Sequence, residues 1–331
     1  MVKGSAGMGL EELRKSLEEE IEGILTTDFK IEITETTLVP SLDDSGITYP
    51  NLETGIQKCK LIETCVLYID LRKSTDLNLS HKRETMSKLY STFIRSIMKS
   101  AGEYNGKVRN VVGDRVMILF DSTNSFGNAY KTAVLLNSVV SKLLDQHFKN
   151  NEVKAGIGID YGKMLVTKAG IIKKGFENTN YKSLVWLGRP ANVASKLTDL
   201  ANKTITEIFS YKEPYIRECF YYPNLDNKYS WYDAPIRRWV KEDLIHLGKG
   251  KFKHKNDYFH TFLVNERTIT NTKSSTHKPI LMTEEVYKGI LKEASDMHSV
   301  KDGRIKDDTN IQVPGYSGKV YGVDSWFTAF E

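Results

Sequence analysis

Two short apolar runs, each carrying an aspartate, stand out in the pattern of hydrophobic and polar positions. Cys65–Leu71 and Val111–Phe120 are rich in β-branched and aromatic residues, which predicts buried strands. Asp70 lies in the first run, and Asp114 follows Gly113 in the second, as in the tight turn of a β-hairpin. Because a buried carboxylate is unfavourable unless it is paired or bound to a metal, two of them on adjacent strands favour a site for Mg²⁺ or Mn²⁺. Asp114 is equally well explained as a turn residue.

The remaining elements follow from hydrophobic periodicity. Apolar residues at three- and four-residue steps predict helices; these are Leu10–Leu25, Thr85–Ala101, Ser125–Phe148, a segment beginning at Pro190, and Ile280–Lys292. Further strands are predicted at Phe29–Val39, Val153–Asp160 and Met164–Ala169, with a turn at Tyr161-Gly162, and closing strands within Gln312–Phe330. The order β-α-β-hairpin-α-β predicts an α/β (α+β) fold, a ferredoxin-like sandwich with additions. Leu10–Leu25 is interpreted as a surface helix on the core, or alternatively as a dimer contact.

Composition adds limits to this picture. The chain has 331 residues, 40% of them hydrophobic, so it can bury a core. Its net charge of +5 and pI of about 8.8 suit a polyanionic ligand such as a nucleoside triphosphate, but are too weak to argue for nucleic acid. Three cysteines without a CxxC pair support neither a disulfide framework nor a zinc site, and we expect a cytoplasmic protein. Without an apolar run long enough for a membrane span, no membrane partner is expected.

We expect an N-terminal extension at residues 1–55, followed by one catalytic domain at residues 56–331 with an insertion at about 204–276. Met1–Gly7 has the character of a leader or a cloning remnant. The insertion combines aromatic clusters with the basic run Lys249–Lys255, which is interpreted as a packed insertion with a solvated basic loop. Nucleic-acid binding by this segment is the alternative, and it is the less favoured one.

Several polar residues close to the predicted strands are candidates for a site. Arg72, Lys73 and Ser74 directly follow the first aspartate strand, where basic groups, hydroxyls and backbone N–H groups can meet phosphates. Ser74 is also a candidate N-cap. Tyr49 is held extended by Pro50 and could stack on a base, or be a core aromatic.

Asn192 and Lys196 form another candidate pair. They are four residues apart, so a helix puts both on one face. Such a pair is also common on a solvated surface.

Several segments together resemble the class III nucleotide cyclases, the adenylyl/guanylyl cyclase homology domain. The resemblance covers roughly Thr64–Leu197 and Pro279–Val323. It is carried by Tyr68–Ser74, Val111–Asp114, Ala155–Gly162, Trp186–Leu197, which is the most specific block, and Pro279–Thr283.

The resemblance implies roles for individual residues. Asp70, Asp114 and the backbone carbonyl of Leu71 would hold two Mg²⁺ or Mn²⁺ ions per active site, and Asn192 would orient the ribose. Lys196 stands where the family has an arginine, and it cannot bind two phosphate oxygens as a fork. Arg189 is the residue that could compensate for this difference.

The resemblance also implies an assembly and points to one missing group. In the family, the aspartates of one subunit meet the asparagine of another, so a head-to-tail homodimer with two shared sites is expected. Where the family has a late phosphate-binding lysine, this chain has Pro314. We expect Lys319 or Lys306 to take over that role.

The base is expected to be a pyrimidine. Asn110 and Val185 occupy the two positions that select the base in the family, and neither matches the adenine or guanine pattern. The whole chain most resembles the pyrimidine cyclases of the bacterial Pycsar anti-phage system, whose cyclic CMP or cyclic UMP is read by a separate downstream effector. Asn110 gives a slight preference for CTP over UTP. The alternatives are a purine cyclase and a catalytically silent nucleotide-binding regulator.

Overall fold

The computed structural model describes residues 9–148, 152–170, 172–173, 176–177, 182–219, 231–234, 244–248, 251–255, 261–308 and 311–331. The predicted leader, Met1–Gly7, lies outside the described residues. Contacts divide the chain into two compact units, one made of Met1–Lys203 with Thr276–Glu331 and the other of Thr204–Ser275.

The helices are α1 Leu10–Leu25, α2 Ser74–Ser80, α3 Arg83–Glu103, α4 Ser125–Ser138, α5 Arg189–Leu200, α6 Glu284–Glu293 and α7 His298–Lys301. The strands are β1 Lys30–Thr36, β2 Ile56–Leu71, β3 Lys107–Val112, β4 Arg115–Leu119, β5 Ala155–Ala169, β6 Ile172–Lys173, β7 Phe176–Glu177, β8 Ser183–Leu187, β9 Thr204–Cys219, β10 Trp231–Ala234, β11 Leu244–Gly248, β12 Lys251–His254, β13 Thr261–Thr276, β14 Ile280–Thr283, β15 Lys306–Asp307 and β16 Val320–Val323. No helix in the described part of the chain has the length and apolar character needed to cross a membrane.

A nine-stranded sheet in the first unit is centred on the long strands β2 and β5. The strand order is β15-β16-β14-β5-β2-β4-β3, with β1 also paired to β2 and β8 to β5. β2 and β5 run antiparallel from Lys60 opposite Val166 to Leu71 opposite Ala155. The inner order β5-β2-β4-β3, with α3 and α4 as connections, is the ferredoxin-like βαββαβ arrangement, so the predicted fold is confirmed.

Alternation along β2 decides which helices cover each face of the sheet. Cys65, Leu67 and Ile69 are buried in the same cluster as residues of α3 and α4. Val66 packs with Ala194 of α5, so α5 covers the opposite face. Successive side chains of a strand point to opposite faces. Ile69 faces α3 and α4, so the next residue, Asp70, faces α5.

The strand after the second long helix is longer than predicted. Residues 155–169 form the single strand β5, so the predicted turn at Tyr161-Gly162 is wrong. Gly162 continues the strand with a φ of 152°, a value that residues with a Cβ rarely adopt, and a Cβ there would approach the Pro190 ring to 3.0 Å. The glycine at this position therefore makes room for the start of α5 and does not reverse the chain.

Two predicted helices differ in their bounds. The helix predicted at Ile280–Lys292 begins only at Glu284, because Ile280–Thr283 pair as a strand with β5 and β16. The helix predicted at Ser125–Phe148 is α-helical to Ser138 and continues as a π-helical segment, Val139–Leu144, and a 3₁₀ turn. A periodicity of apolar residues does not distinguish these hydrogen-bonding patterns.

The predicted helix Leu10–Leu25 is confirmed, but it buries none of its residues. The apolar stripe remains exposed, from 84% at Leu10 to 38% at Ile24. The interpretation as a helix packed on the core is therefore wrong for the chain alone. The dimer contact remains a prediction.

The second unit contains a five-stranded sheet in the order β10-β9-β13-β12-β11. Lys251–His254, part of the predicted basic loop, forms β12 and pairs with β11 and β13. The predicted loop is therefore wrong at these residues, where alternating Lys and aromatic side chains favour a strand. The aromatic cluster at residues 220–222 lies outside the described residues.

Candidate active site

Asp70 and Asp114 meet where β2 ends beside the β3–β4 turn. β2 and β4 are antiparallel with Ile69 opposite Val116, so the next step of the register brings Asp70 opposite Arg115. Gly113 and Asp114 form the two-residue turn between β3 and β4, and Gly113 adopts the φ of 63° that its first position needs. The predicted hairpin is confirmed, and it places the two aspartates side by side.

Arg115 connects Asp70 to helix α5. Its Nε and Nη2 donate to Asp70 Oδ2 at 3.2 and 2.6 Å. Its Nη1 donates to Ser195 Oγ at 2.9 Å, and Nη2 also forms an ion pair with Asp199. Burial lowers the pKa of Arg115, but the two carboxylates outweigh this effect and raise it. Asp70 is thus held by an internal cation in the isolated chain.

Asp114 lies in a less compensated environment. Its Oδ2 is buried and has no hydrogen-bond partner among the described residues. Burial and the neighbouring Asp70 carboxylate raise the pKa of Asp114, and a hydrogen bond from Ser74 partly opposes the shift. An under-satisfied carboxylate oxygen beside a second carboxylate is the environment that a hard divalent cation would relieve.

The donor set for a cation in this chain is small. No group of three or more His, Cys, Asp or Glu side chains suited to a metal occurs within the ranges that the structure describes. Asp70 and Asp114 are the carboxylates that could hold Mg²⁺ or Mn²⁺, with the predicted carbonyl of Leu71 at the last residue of β2. Such a cation would complete its coordination with water and ligand oxygens, as Mg²⁺ commonly does.

The three residues after Asp70 and Leu71 have separate positions. Arg72 donates from Nη2 to the carbonyl of Thr198 at 2.5 Å and from Nη1 to that of Asp199 at 3.0 Å. It therefore caps the C-terminal end of α5, where carbonyls lack helical partners. The expected contact of Arg72 with phosphate remains a prediction. Lys73 is exposed and has a left-handed φ of 54°. Ser74 is the first residue of α2 and not its N-cap, which is Lys73.

Asn192 and Lys196 share the exposed side of α5, as predicted from their spacing. Lys196 Nζ donates to the carbonyl of Pro314 at 2.9 Å. Arg189, at the start of α5, donates to the carbonyl of Tyr161 at 3.2 Å and lies 3.7 Å from Asp160 Oδ2. Arg189 is thus held by two residues of β5, Tyr161 and Asp160.

The two lysines expected to replace the late phosphate-binding residue lie on the sheet edge. Lys306 begins β15, and Lys319 Nζ is paired with Asp307 Oδ2 at 2.9 Å. Their role in binding phosphate remains a prediction.

The residues expected to read the base lie on three different segments of the chain. Asn110 is exposed on β3 opposite Met117, near the aspartates. Val185 on β8 is opposite Thr167 of β5, and the Tyr49 ring centroid lies 6.0 Å from Lys168 Nζ. Residue 167 lies roughly 40 Å along β5 from the end that faces Asp70. Val185 and Tyr49 are therefore far from Asp70 along the sheet, and the role of the three residues in reading the base remains a prediction.

Arg115 is the residue of this site that sequence reasoning missed. It follows Asp114 directly, and the alternation along β4 was enough to place it on the same face as Asp70. Its partners on α5 could be found only from the tertiary structure, because Ser195 and Asp199 are far away in sequence.

Comparison with known proteins identifies relatives. No family model matches the chain. A uridylate cyclase of Gulbenkiania mobilis is 30% identical over 228 residues, which cover 64% of this chain and 82% of that protein. A uridylate cyclase of Burkholderia cepacia is 29% identical over 179 residues, which cover 53% of this chain and 72% of the relative.

The crystal structure of the adenylyl cyclase CyaB from P. aeruginosa aligns with a TM-score of 0.48 and 16% identity, covering 82% of this chain and 98% of that chain. The assignment rests on the sequence relatives, since they share the larger identity over most of their length. The chain therefore belongs to the pyrimidine cyclase family of class III nucleotide cyclases.

Proposed function

We propose that this chain converts UTP to the 3′,5′-cyclic nucleotide and pyrophosphate. In that reaction the ribose 3′-oxygen forms a bond to the α-phosphorus, the bond to the β-phosphate oxygen breaks, and the hydroxyl proton is released to solvent. The observation that carries the proposal is the juxtaposition of Asp70 with the under-satisfied Asp114. The relatedness to two uridylate cyclases supports it.

Asp70, Asp114 and the Leu71 carbonyl would hold Mg²⁺ or Mn²⁺, two ions per active site. When bound, these ions would lower the pKa of the 3′-hydroxyl and neutralise phosphate charge. Before any cation binds, Arg115 orients the Asp70 carboxylate through two hydrogen bonds to Oδ2.

The exposed face of α5 would supply the groups that contact the substrate. Asn192 would orient the ribose, and Lys196 would place a positive charge near the phosphates. Both side chains are exposed in the isolated chain, which suits a site completed by a second copy. We therefore propose a head-to-tail homodimer in which α5 of one chain meets the aspartates of the other.

The base would be read by Asn110, Val185 and Tyr49. The slight preference for CTP inferred from Asn110 is not supported, because the relatives are named uridylate cyclases. An amide can flip to donate to a uracil carbonyl or accept from its N3–H, so Asn110 is compatible with UTP. A role in anti-phage defence, with cyclic UMP as the signal to a separate effector, is part of the proposal and rests on the resemblance of the sequence to the Pycsar cyclases.

The test is product identification after incubation with ATP, GTP, CTP and UTP separately, in Mn²⁺ and in Mg²⁺. Cyclic UMP with pyrophosphate, identified by mass, is expected from UTP. Cyclic CMP as the main product would replace UTP by CTP, and a purine product would contradict the pyrimidine assignment.

The same assay tests the two aspartates. Asp70→Ala and Asp114→Ala are each expected to lower turnover at least about a thousandfold. Each removes a ligand of the metal ions that would neutralise the charge of the transition state. Asp302→Ala is the matched control, since Asp302 is an exposed carboxylate that is also paired with one arginine, Arg304. Full activity of either aspartate variant would contradict the proposed site.

A further inference from the structure

Arg115 is the cation that joins the candidate metal site to α5. Both of its hydrogen bonds to Asp70 end on Oδ2. The same guanidinium also binds Ser195 and Asp199, which lie one turn apart on α5. An arginine is suited to this role because its planar fork can serve several acceptors at once.

We propose that Arg115 is a positioning residue that links cation binding at Asp70 and Asp114 to the position of α5. The inference rests on the proposed cation site. In the isolated chain Arg115 occupies Asp70 as an internal counter-ion and ties α5 to the end of β2.

Charge dictates the direction of the change. A divalent cation at the two aspartates competes with Arg115 for Asp70 Oδ2 and repels its guanidinium. Asp199 is 54% exposed and already bonded to Arg115, so it can keep the displaced guanidinium paired. Cation binding therefore loosens the link between Asp70 and α5 without leaving Arg115 unpaired.

The consequence concerns the groups that α5 carries. Asn192 and Lys196 lie on the same helix as Ser195 and Asp199. In the proposed dimer, Asn192 and Lys196 of one chain contact the substrate at the aspartates of the other chain. Cation binding at the aspartates of a chain therefore changes the position of the residues that this same chain supplies to the other site. Arg115 thereby connects the two sites of the dimer.

A double-mutant cycle on Mn²⁺ affinity tests this link. The dissociation constant of Mn²⁺ is measured, by electron paramagnetic resonance of the unbound ion, for the wild type, Arg115→Gln, Asp199→Asn and the double variant. Arg115→Gln is expected to bind Mn²⁺ about fivefold more tightly, because the competing charge is gone. Asp199→Asn is expected to weaken binding about threefold, because Arg115 then loses its second carboxylate and stays on Asp70. In the Arg115→Gln background, Asp199→Asn is expected to leave Mn²⁺ affinity unchanged.

Arg304→Gln is the matched control. Arg304 binds a single carboxylate oxygen of Asp302 through Nε and Nη2, as Arg115 binds Asp70, and its loss is expected to leave Mn²⁺ affinity unchanged. If Asp199→Asn weakens binding equally in both backgrounds, or Arg115→Gln binds no more tightly, the link is refuted while the metal site stands. If the wild type does not bind Mn²⁺, both the link and the proposed cation site are refuted.

Hydrogen exchange gives a second readout that is independent of catalysis. In the wild type, amide exchange in α5 is expected to become faster when Mn²⁺ is added, because the tether to Asp70 is released. In Arg115→Gln the exchange is expected to be fast already and to stay unchanged on adding Mn²⁺. Equal acceleration in both proteins, or none in the wild type, overturns the proposal.

Discussion

At the scale of single residues, the partners of a carboxylate decide what it can do. Asp160 and Asp114 are both raised in pKa by burial, yet they differ in their neighbours. Asp160 is fully buried, accepts a hydrogen bond from Thr283 Oγ1 at 2.7 Å and lies 3.7 Å from Arg189. Asp114 has a second carboxylate next to it. Asp160 therefore anchors the start of α5, whereas Asp114 is available for a cation.

The raised pKa of Asp160 predicts a pH dependence of stability. As the pH rises above the usual carboxyl value of 3.8, the unfolded chain loses this proton before the folded chain does. The folded state binds more protons in that window, so Asp160 makes stability fall as the pH rises. In Asp160→Asn this contribution is absent.

The free energy of unfolding of Asp160→Asn, relative to wild type, is therefore expected to rise between about pH 4 and about pH 7. The measurement is urea unfolding followed by circular dichroism at each pH. A difference that stays constant over this range would show that burial does not raise the pKa of Asp160.

At the scale of elements, the contact between α5 and β5 holds the site together. Gly156 and Gly158 lie on the α5 face of β5. A Cβ on Gly158 would clash with the carbonyl oxygen of Ala194 and come within 2.5 Å of the backbone nitrogen of Thr198. The absence of side chains at these positions lets the helix approach the sheet closely enough for Arg72 and Arg115 to reach it.

Gly158→Ala is expected to lower the free energy of unfolding by about 3 kcal/mol, because backbone atoms on both sides cannot yield cheaply. The measurement is urea unfolding at neutral pH. Gly102→Ala is the control: nothing lies within 4 Å of a Cβ at this position in α3. It is expected to stabilise the helix by roughly 0.5–1 kcal/mol. Equal stability of Gly158→Ala and wild type would contradict the close packing.

At the scale of the whole molecule, one chain holds the parts of the proposed site in separate places. Asp70 and Asp114 lie at the end of β2, while Val185 and Tyr49 lie near the far end of β5. The exposed stripe of α1 adds an apolar surface that the chain itself does not cover. Both features favour an assembly of two copies.

Subunit mixing tests the shared site. Asp70→Ala and Asn192→Ala are each expected to be inactive as homodimers, because each lacks one half of both sites. After co-refolding of the two variants in equal amounts, half of the dimers are mixed and each has one intact site, so about a quarter of wild-type turnover is expected. The measurement is cyclic nucleotide formed per chain. No recovery of activity, with mixed dimers verified by mass, would place the aspartates and Asn192 of one site on the same chain.

The sequence alone determined many elements of this protein, because these elements depend on residues that are close together in the chain. Periodicity placed α1, α3, the end of β2 from Cys65 to Leu71, and the aspartate hairpin, since side-chain alternation and turn chemistry depend on near neighbours. The motif blocks also led to the cyclase family, which the relatives confirm.

Only the tertiary structure decided which groups meet. Arg72 caps α5, Arg115 holds Asp70, and the stripe of α1 stays exposed, each because of the way distant elements pack. The single strand β5 likewise required pairing with β2 along its length, which overrode the turn suggested by Gly162. Partners that are far apart in sequence are fixed by strand register and helix packing, and these are properties of the whole fold.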